Sequence, residues 1–288
     1  MANLEQIIAN KSAQDSQWKA QQQAERESVT EMQDCGIELI ASDPDQFMRY
    51  LTMQGDNPTY SAGNIAIAMV GLPDATIIGT AERWQSLHRS VITEEKDSGV
   101  KIFARDQKTR QYILSDAYDV SQTHGAELKQ TVFQDGSKEM ASALETLLNY
   151  SKVPAVVDKD LDEPAYYDEE KSELAINPGF SDTEAFASIA AEVALTRFHN
   201  KGFNPDYRWD KYELDAQSVA YILCRRFGID PETPKLERLA ERFDGMTKDE
   251  ARAVLDNIQD MSKQIGRGIE KGLEEKQRSR SNVRRPAR

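Results

Sequence analysis

FASIAAEVALTRFHN, residues 186–200, is the stretch whose reading decides the fold. Ser181 precedes it and Glu184 stands three residues later. In that arrangement the hydroxyl and the carboxylate each satisfy an open backbone N–H at a helix start. Phe186, Ile189, Ala190 and Val193 then recur at helical spacing and form an apolar stripe. The pattern predicts a helix opened by Ser181, one side of which enters a core. Within it a single carboxylate, Glu192, stands close to two hydrocarbon side chains, Ala191 and Leu195.

The flanking sequence extends this into a helical region with one small sheet. Upstream, Met140, Leu144, Leu147 and Leu148 predict a helix. Ala165-Tyr166-Tyr167 and Leu174-Ala175-Ile176 predict a hairpin around the polar tip 168–172. Downstream, Val219, Tyr221, Ile222, Leu223 and Phe227 predict a helix ending at Gly228. Thr247 and Glu250 repeat the capping arrangement before a long stripe of Val254, Leu255, Ile258, Met261, Ile265, Ile269 and Leu273. The basic segment from Lys276 to Arg288 carries no apolar stripe and is expected to be a disordered tail.

The first half has a different texture. Residues 1–36 are rich in Gln, Lys, Glu and Ala and read as a polar helix or partly ordered arm. Asp43 caps and Pro44 opens a helix carrying Phe47, Tyr50, Leu51 and Gln54, and a further helix over 64–70 stops at Gly71-Leu72-Pro73. Strand signals follow at 75–79, 99–104, 111–114 and 117–120, and Gln134-Asp135-Gly136-Ser137 is the best linker. The expected organisation is an arm (1–36), a small α/β domain (37–135), a mainly helical domain (138–275) and a basic tail (276–288), α+β overall.

Composition narrows the function. The net charge of -13 argues against a general polyanion binder, because phosphate contacts need clustered Lys and Arg, but it leaves room for a local basic groove. It also leaves room for an acidic surface that imitates nucleic acid. No apolar run reaches the roughly 20 residues of a membrane span, and the first residues carry no secretory pattern. Cys35 and Cys224 stand far apart without metal-type spacing, as free thiols of a reducing cytoplasm would.

The order of several short motifs resembles the ArdC/LtrC type of antirestriction and conjugative-element proteins. The matching stretches are Tyr60-Ser61-Ala62-Gly63-Asn64, Pro73-Asp74-Ala75-Thr76, 84–91 (WQSLHRSV), 119–123 (DVSQT), the helix around Glu192, and 215–221 (DAQSVAY). The resemblance runs from about Gln46 to Leu273. It implies a single-stranded-DNA-binding N-terminal domain followed by a zincin-like metallopeptidase domain, whose cleft would hold an extended peptide along an edge strand at Leu174–Ile176.

In such relatives the helix reads H-E-x-x-H: two histidines one turn apart hold zinc, and the glutamate activates the metal-bound water. Here the histidine slots are Ala191 and Leu195, and Gln217 stands where the resemblance places a further acid. Glu192 survives as a vestigial general base. No metal or other cofactor is expected, because alanine and leucine offer no lone pair and a catalytic zinc typically needs about three protein ligands.

The resemblance also implies DNA-binding roles for Tyr60, Asn64, Trp84, Arg89, Lys101 and Arg105, with Arg83 and Phe103 adjacent. On residue type alone Trp84 is a core residue, and Arg89 and Lys101 are solvated surface. The expected partners are single-stranded DNA and restriction or DNA-transfer proteins. Two alternatives remain open: an active zinc metallopeptidase with substituted ligands from Glu192, His199 and Glu213 or Asp215, and an acidic protein-binding scaffold or DNA mimic.

Overall fold

The computed structural model describes residues 3–106, 108–200 and 203–283, with side chains as far as Lys276. Contacts divide the chain into one unit of Met1–Glu38 with Ala66–Ala126 and a second of Leu39–Ile65 with Glu127–Arg288. Helix α1 (Leu4–Ser42) begins in the first unit. Its side chains over 3–21 are exposed, as the polar composition requires, and Val29, Ile37 and Ile40 are its buried apolar residues. The helix continues through Gly36, where the arm was expected to end. A Cβ at that position would lie 2.5 Å from the carbonyl oxygen of Ala66, so the glycine marks a close helix crossing instead of a break.

Helix α2 (Pro44–Asp56) is capped as expected, Asp43 Oδ1 accepting from the N–H groups of Asp45 and Gln46. Helix α3 (Ala62–Gly71) leads through β1 (Ile78–Thr80), α4 (Ala81–Ser86), β2 (Arg89–Val91), β3 (Val100–Arg105), β4 (Tyr112–Asp119) and β5 (Thr123–Gly125). The first unit holds an antiparallel sheet of order β1-β4-β3 and a separate β2-β5 pair. The expected strands at 111–114 and 117–120 are one continuous strand. Ser115 and Asp116 look like a break in sequence, but alternation sends them to opposite faces, where they pair with Ile102 and Lys101. Val100, Ile102 and Ala117 face the core.

The second unit contains α2, α5 (Lys138–Leu148), β6 (Ala155–Val157), β7 (Ala165–Asp168), β8 (Glu173–Ile176), α6 (Asp182–His199), α7 (Trp209–Arg226), α8 (Leu239–Phe243) and α9 (Lys248–Val283). α6 lies along α7, which also packs on α2 and α9. Ser181 and Glu184 form the capping box expected of α6, and Thr247 with Glu250 caps α9. Buried Val254, Leu255, Ile258, Ile265 and Ile269 confirm the α9 stripe. The backbone of α9 continues into the basic segment where disorder was expected, and 284–288 lie outside the described residues.

The sheet of this unit runs β6-β8-β7, with β6 parallel and β7 antiparallel to β8. Leu174–Ile176 is therefore the central strand and not the edge. β6, only three residues long and largely exposed, lacks the apolar alternation that would have announced it. Among the described residues no helix is long and apolar enough to cross a membrane.

Candidate functional site

Between α6, α7 and the segment 232–234 lies a cleft of about 340 Å³. Ala191 and Glu192 line it from α6, and Gln217, Tyr221 and Cys224 from α7. The capping box fixes where α6 starts, and the stripe of Phe186, Ile189, Ala190 and Val193 fixes its rotation, so Glu192 is turned toward β7. There its Oε2 accepts the Tyr167 backbone N–H at 2.8 Å. One turn earlier the Ser188 hydroxyl accepts from Ala165 N at 3.1 Å and donates to Ala165 O at 3.3 Å. The side of β7 away from β8 is thus occupied by side chains of α6, where an extended peptide would otherwise add a strand.

The remaining candidate ligands are all engaged. Asp215 is buried and takes a two-pronged contact from Arg242, at 2.8 and 2.7 Å. Glu213, also buried, binds the Lys235 ammonium and stands 3.6 Å from Arg238 Nε. Gln217 Oε1 accepts the Lys235 backbone N–H at 2.8 Å. His199 does not line this cleft: its Nδ1 meets the Tyr167 hydroxyl at 2.7 Å, and its ring stacks on Tyr207 at 4.2 Å. Burial pushes the Cys224 thiol up to about 12. Leu195, in the second histidine slot, is buried.

Among the described residues no three His, Cys, Asp or Glu side chains gather in a way that could hold a metal ion. A peptidase zinc site needs about three such donors and an open position for water. The residues of this cleft do not fit that group.

Burial pushes the Glu192 carboxyl up to about 7, against the downward pull of the Tyr167 N–H, with Glu163 and Glu213 adding to the rise. An unfolded glutamate titrates near about 4.3. Between those values the folded chain holds a proton that the unfolded chain has released, so this group makes stability fall as pH rises. Denaturant unfolding at about pH 5 and about pH 8 should show Glu192→Gln flattening that decline and gaining relative stability at the higher pH. Identical pH slopes for the two proteins would contradict the assignment.

The residues expected to touch DNA fall into three groups. Tyr60 and Asn64 belong to the second unit, where Asn64 N–H meets the Ser61 hydroxyl at 3.3 Å at the start of α3. Trp84 and Arg89 are committed to the first unit's framework. The indole of Trp84 is 0% exposed and donates to Tyr118 O at 3.1 Å. Arg89 donates to Thr123 Oγ1 at 2.9 Å, Ala126 O at 2.7 Å and Thr123 O at 3.0 Å, which clamps β2 to β5. Asp119 adds a third tie, accepting the N–H groups of Thr76 and Ser121 at 2.8 Å. Burial works to raise its pKa, but these and neighbouring hydrogen bonds outweigh it and hold the carboxyl low. The stretches at 73–76, 84–91 and 119–123 thus bind one another.

The third group is Lys101 and Arg105, which share one face of β3 with Phe103. Opposite them on β4 stand Asp116, Leu114 and Tyr112 in register. Tyr112 is 63% exposed, while Lys101 pairs with Asp116 at 3.2 Å. Sequence reasoning missed Tyr112. Its place at the start of β4, directly across from Arg105, becomes visible only once the hairpin register is known.

No protein-family model matches the chain, and no curated protein sequence does. Among solved structures, the Mn(II)-bound crystal structure of the antirestriction protein ArdC from plasmid R388 is similar in fold. It is 14% identical, with a TM-score of 0.50, over 84% of this chain and 97% of that one. The metal-free structure of the same protein covers 74% of this chain and 86% of that one, at 14% identity and a TM-score of 0.43.

Proposed function

We propose that this chain, which has the ArdC fold, is a single-stranded-DNA-binding accessory protein of a mobile genetic element, serving antirestriction or DNA transfer, whose second unit is a peptidase-like domain without peptidase activity. The observation that supports DNA binding best is the partly exposed β3–β4 face of the first unit, on which Tyr112 is exposed and Lys101 is paired with Asp116. Phe103 and Tyr112 offer aromatic rings there, and Lys101 and Arg105 offer cations on the same side of the sheet. Single-strand binders stack bases on aromatic faces and follow the phosphates with cations, and such a local site needs no positive net charge. The missing metal ligands and the occupied edge of β7 support the inactive second unit.

Titration of a fluorescent single-stranded oligonucleotide at about 50 and about 200 mM salt tests the first part. The wild type is expected to bind with strong salt dependence. Phe103→Ala with Tyr112→Ala should weaken binding at least about tenfold, given about 1–3 kcal/mol per stacked base. Arg105→Ala should also flatten the salt slope. No binding at low salt removes the proposal, and unchanged binding by the double variant removes this face as the site.

A partner-binding scaffold is the second reading. It is favoured by the acidic cleft wall of Asp162, Glu163, Glu184 and Glu232 beside Glu192. DNA-free protein that fails to bind single strands but retains a restriction or transfer protein would select it.

A further inference from the structure

We propose that Lys235 is a built-in cation that takes the place of a metal ion beside the cleft, neutralising the buried Glu213 of α7 and barring divalent ions from the cleft. This rests on the reading of the second unit as metal-free, and deepens it.

Glu213 creates the need. Its side chain is only 4% exposed, and a buried carboxylate without a counter-charge is strongly destabilising. The residue lies one helical turn before Gln217, which lines the cleft with Ala191 and Glu192, and Glu213 is near enough for its charge to act on Glu192. A metal ion bound at such a wall would neutralise the acid, but the imidazoles required to retain it are replaced by Ala191 and Leu195.

Lys235 meets the need from the chain itself. Its ammonium binds Glu213 Oε1, while Arg238, one 3-10 turn later, faces Oε2 at 3.6 Å. The placement is held from both ends of the residue. Gln217 Oε1 takes its backbone N–H at 2.8 Å, and the Trp209 ring lies beneath the ammonium at 5.7 Å. The amide at Gln217 also fits this arrangement. A glutamate there would add a second negative charge beside Glu213 and raise the demand for a stronger cation. The two histidine losses, the amide and the lysine are thus parts of one electrostatic substitution.

The test compares full-length wild type, Ala191→His/Leu195→His, and the same double variant with Lys235→Met, each exchanged against Zn(II) and analysed for bound zinc. The expected result is no retained zinc in the first two and stoichiometric zinc in the third. Zinc in the double variant with Lys235 in place overturns the inference, as does a folded triple variant that retains none. Zinc in the wild type sinks the underlying metal-free reading instead, so the two failures are distinguishable.

Because Leu195 is buried and its histidine variant can fail to fold, a second measurement uses the native background. Lys235→Met should lower the melting temperature, and Glu213→Gln added to it should restore most of the loss. A double variant no more stable than Lys235→Met alone overturns the inference.

Discussion

Arg242→Met should destabilise the second unit by about 3–5 kcal/mol, the usual loss when one partner of a buried ion pair is removed. Asp215 and Arg242 have side chains 2% and 7% exposed, joined by hydrogen bonds of 2.8 and 2.7 Å. The guanidinium also covers the rings of Tyr212 and Phe243, at 5.8 and 5.9 Å. Its loss would strand a carboxylate in a place water cannot reach. Asp215→Asn combined with Arg242→Met should recover much of the stability, because no uncompensated charge is left. Chemical denaturation of the single and double variants reads this directly. Equal destabilisation by both would mean that packing, and not charge, carries the effect. The pair also bears on function, since a carboxylate held by two prongs of an arginine is not free to ligate a metal.

Trp84→Ala should cost the first unit about 3–5 kcal/mol, the range for emptying a large aromatic site. The ring is fully buried, approaches the backbone at Gly79 so closely that an added Cβ would lie 3.0 Å from it, and uses its N–H on Tyr118 O. Trp84→Phe should lose less, since most of the volume remains and mainly the hydrogen bond goes, worth about 0.5–1.5 kcal/mol. Single-strand affinity separates the two roles considered for this residue. Trp84→Phe is expected to bind DNA as the wild type does once folded. A large loss of affinity in a stable Trp84→Phe protein would show that the ring meets bases after all.

The helices were legible where local chemistry decides them. Ser181 with Glu184, Thr247 with Glu250, and Asp43 before Pro44 each start a helix where the sequence placed one. The hairpin of β7 and β8 was legible as well, with Ala165 opposite Ile176. Strands that depend on distant partners were harder. β6 forms because β8 offers it a free side, and Ser115-Asp116 stays in β4 because β3 pairs along its whole length. A short or polar strand carries little signal of its own.

The sequence by itself determined that positions 191 and 195 offer no metal ligand, because donor atoms are a property of residue type and alanine and leucine have none to give. It also determined the helical frame, through caps and periodicity that act within a few residues. Only the tertiary structure decided what the surviving polar groups do: Glu192 closes the edge of β7, Glu213 faces Lys235, and Arg89 clamps a strand pair. Those roles depend on pairings between residues up to 37 positions apart, which folding alone brings within hydrogen-bond reach.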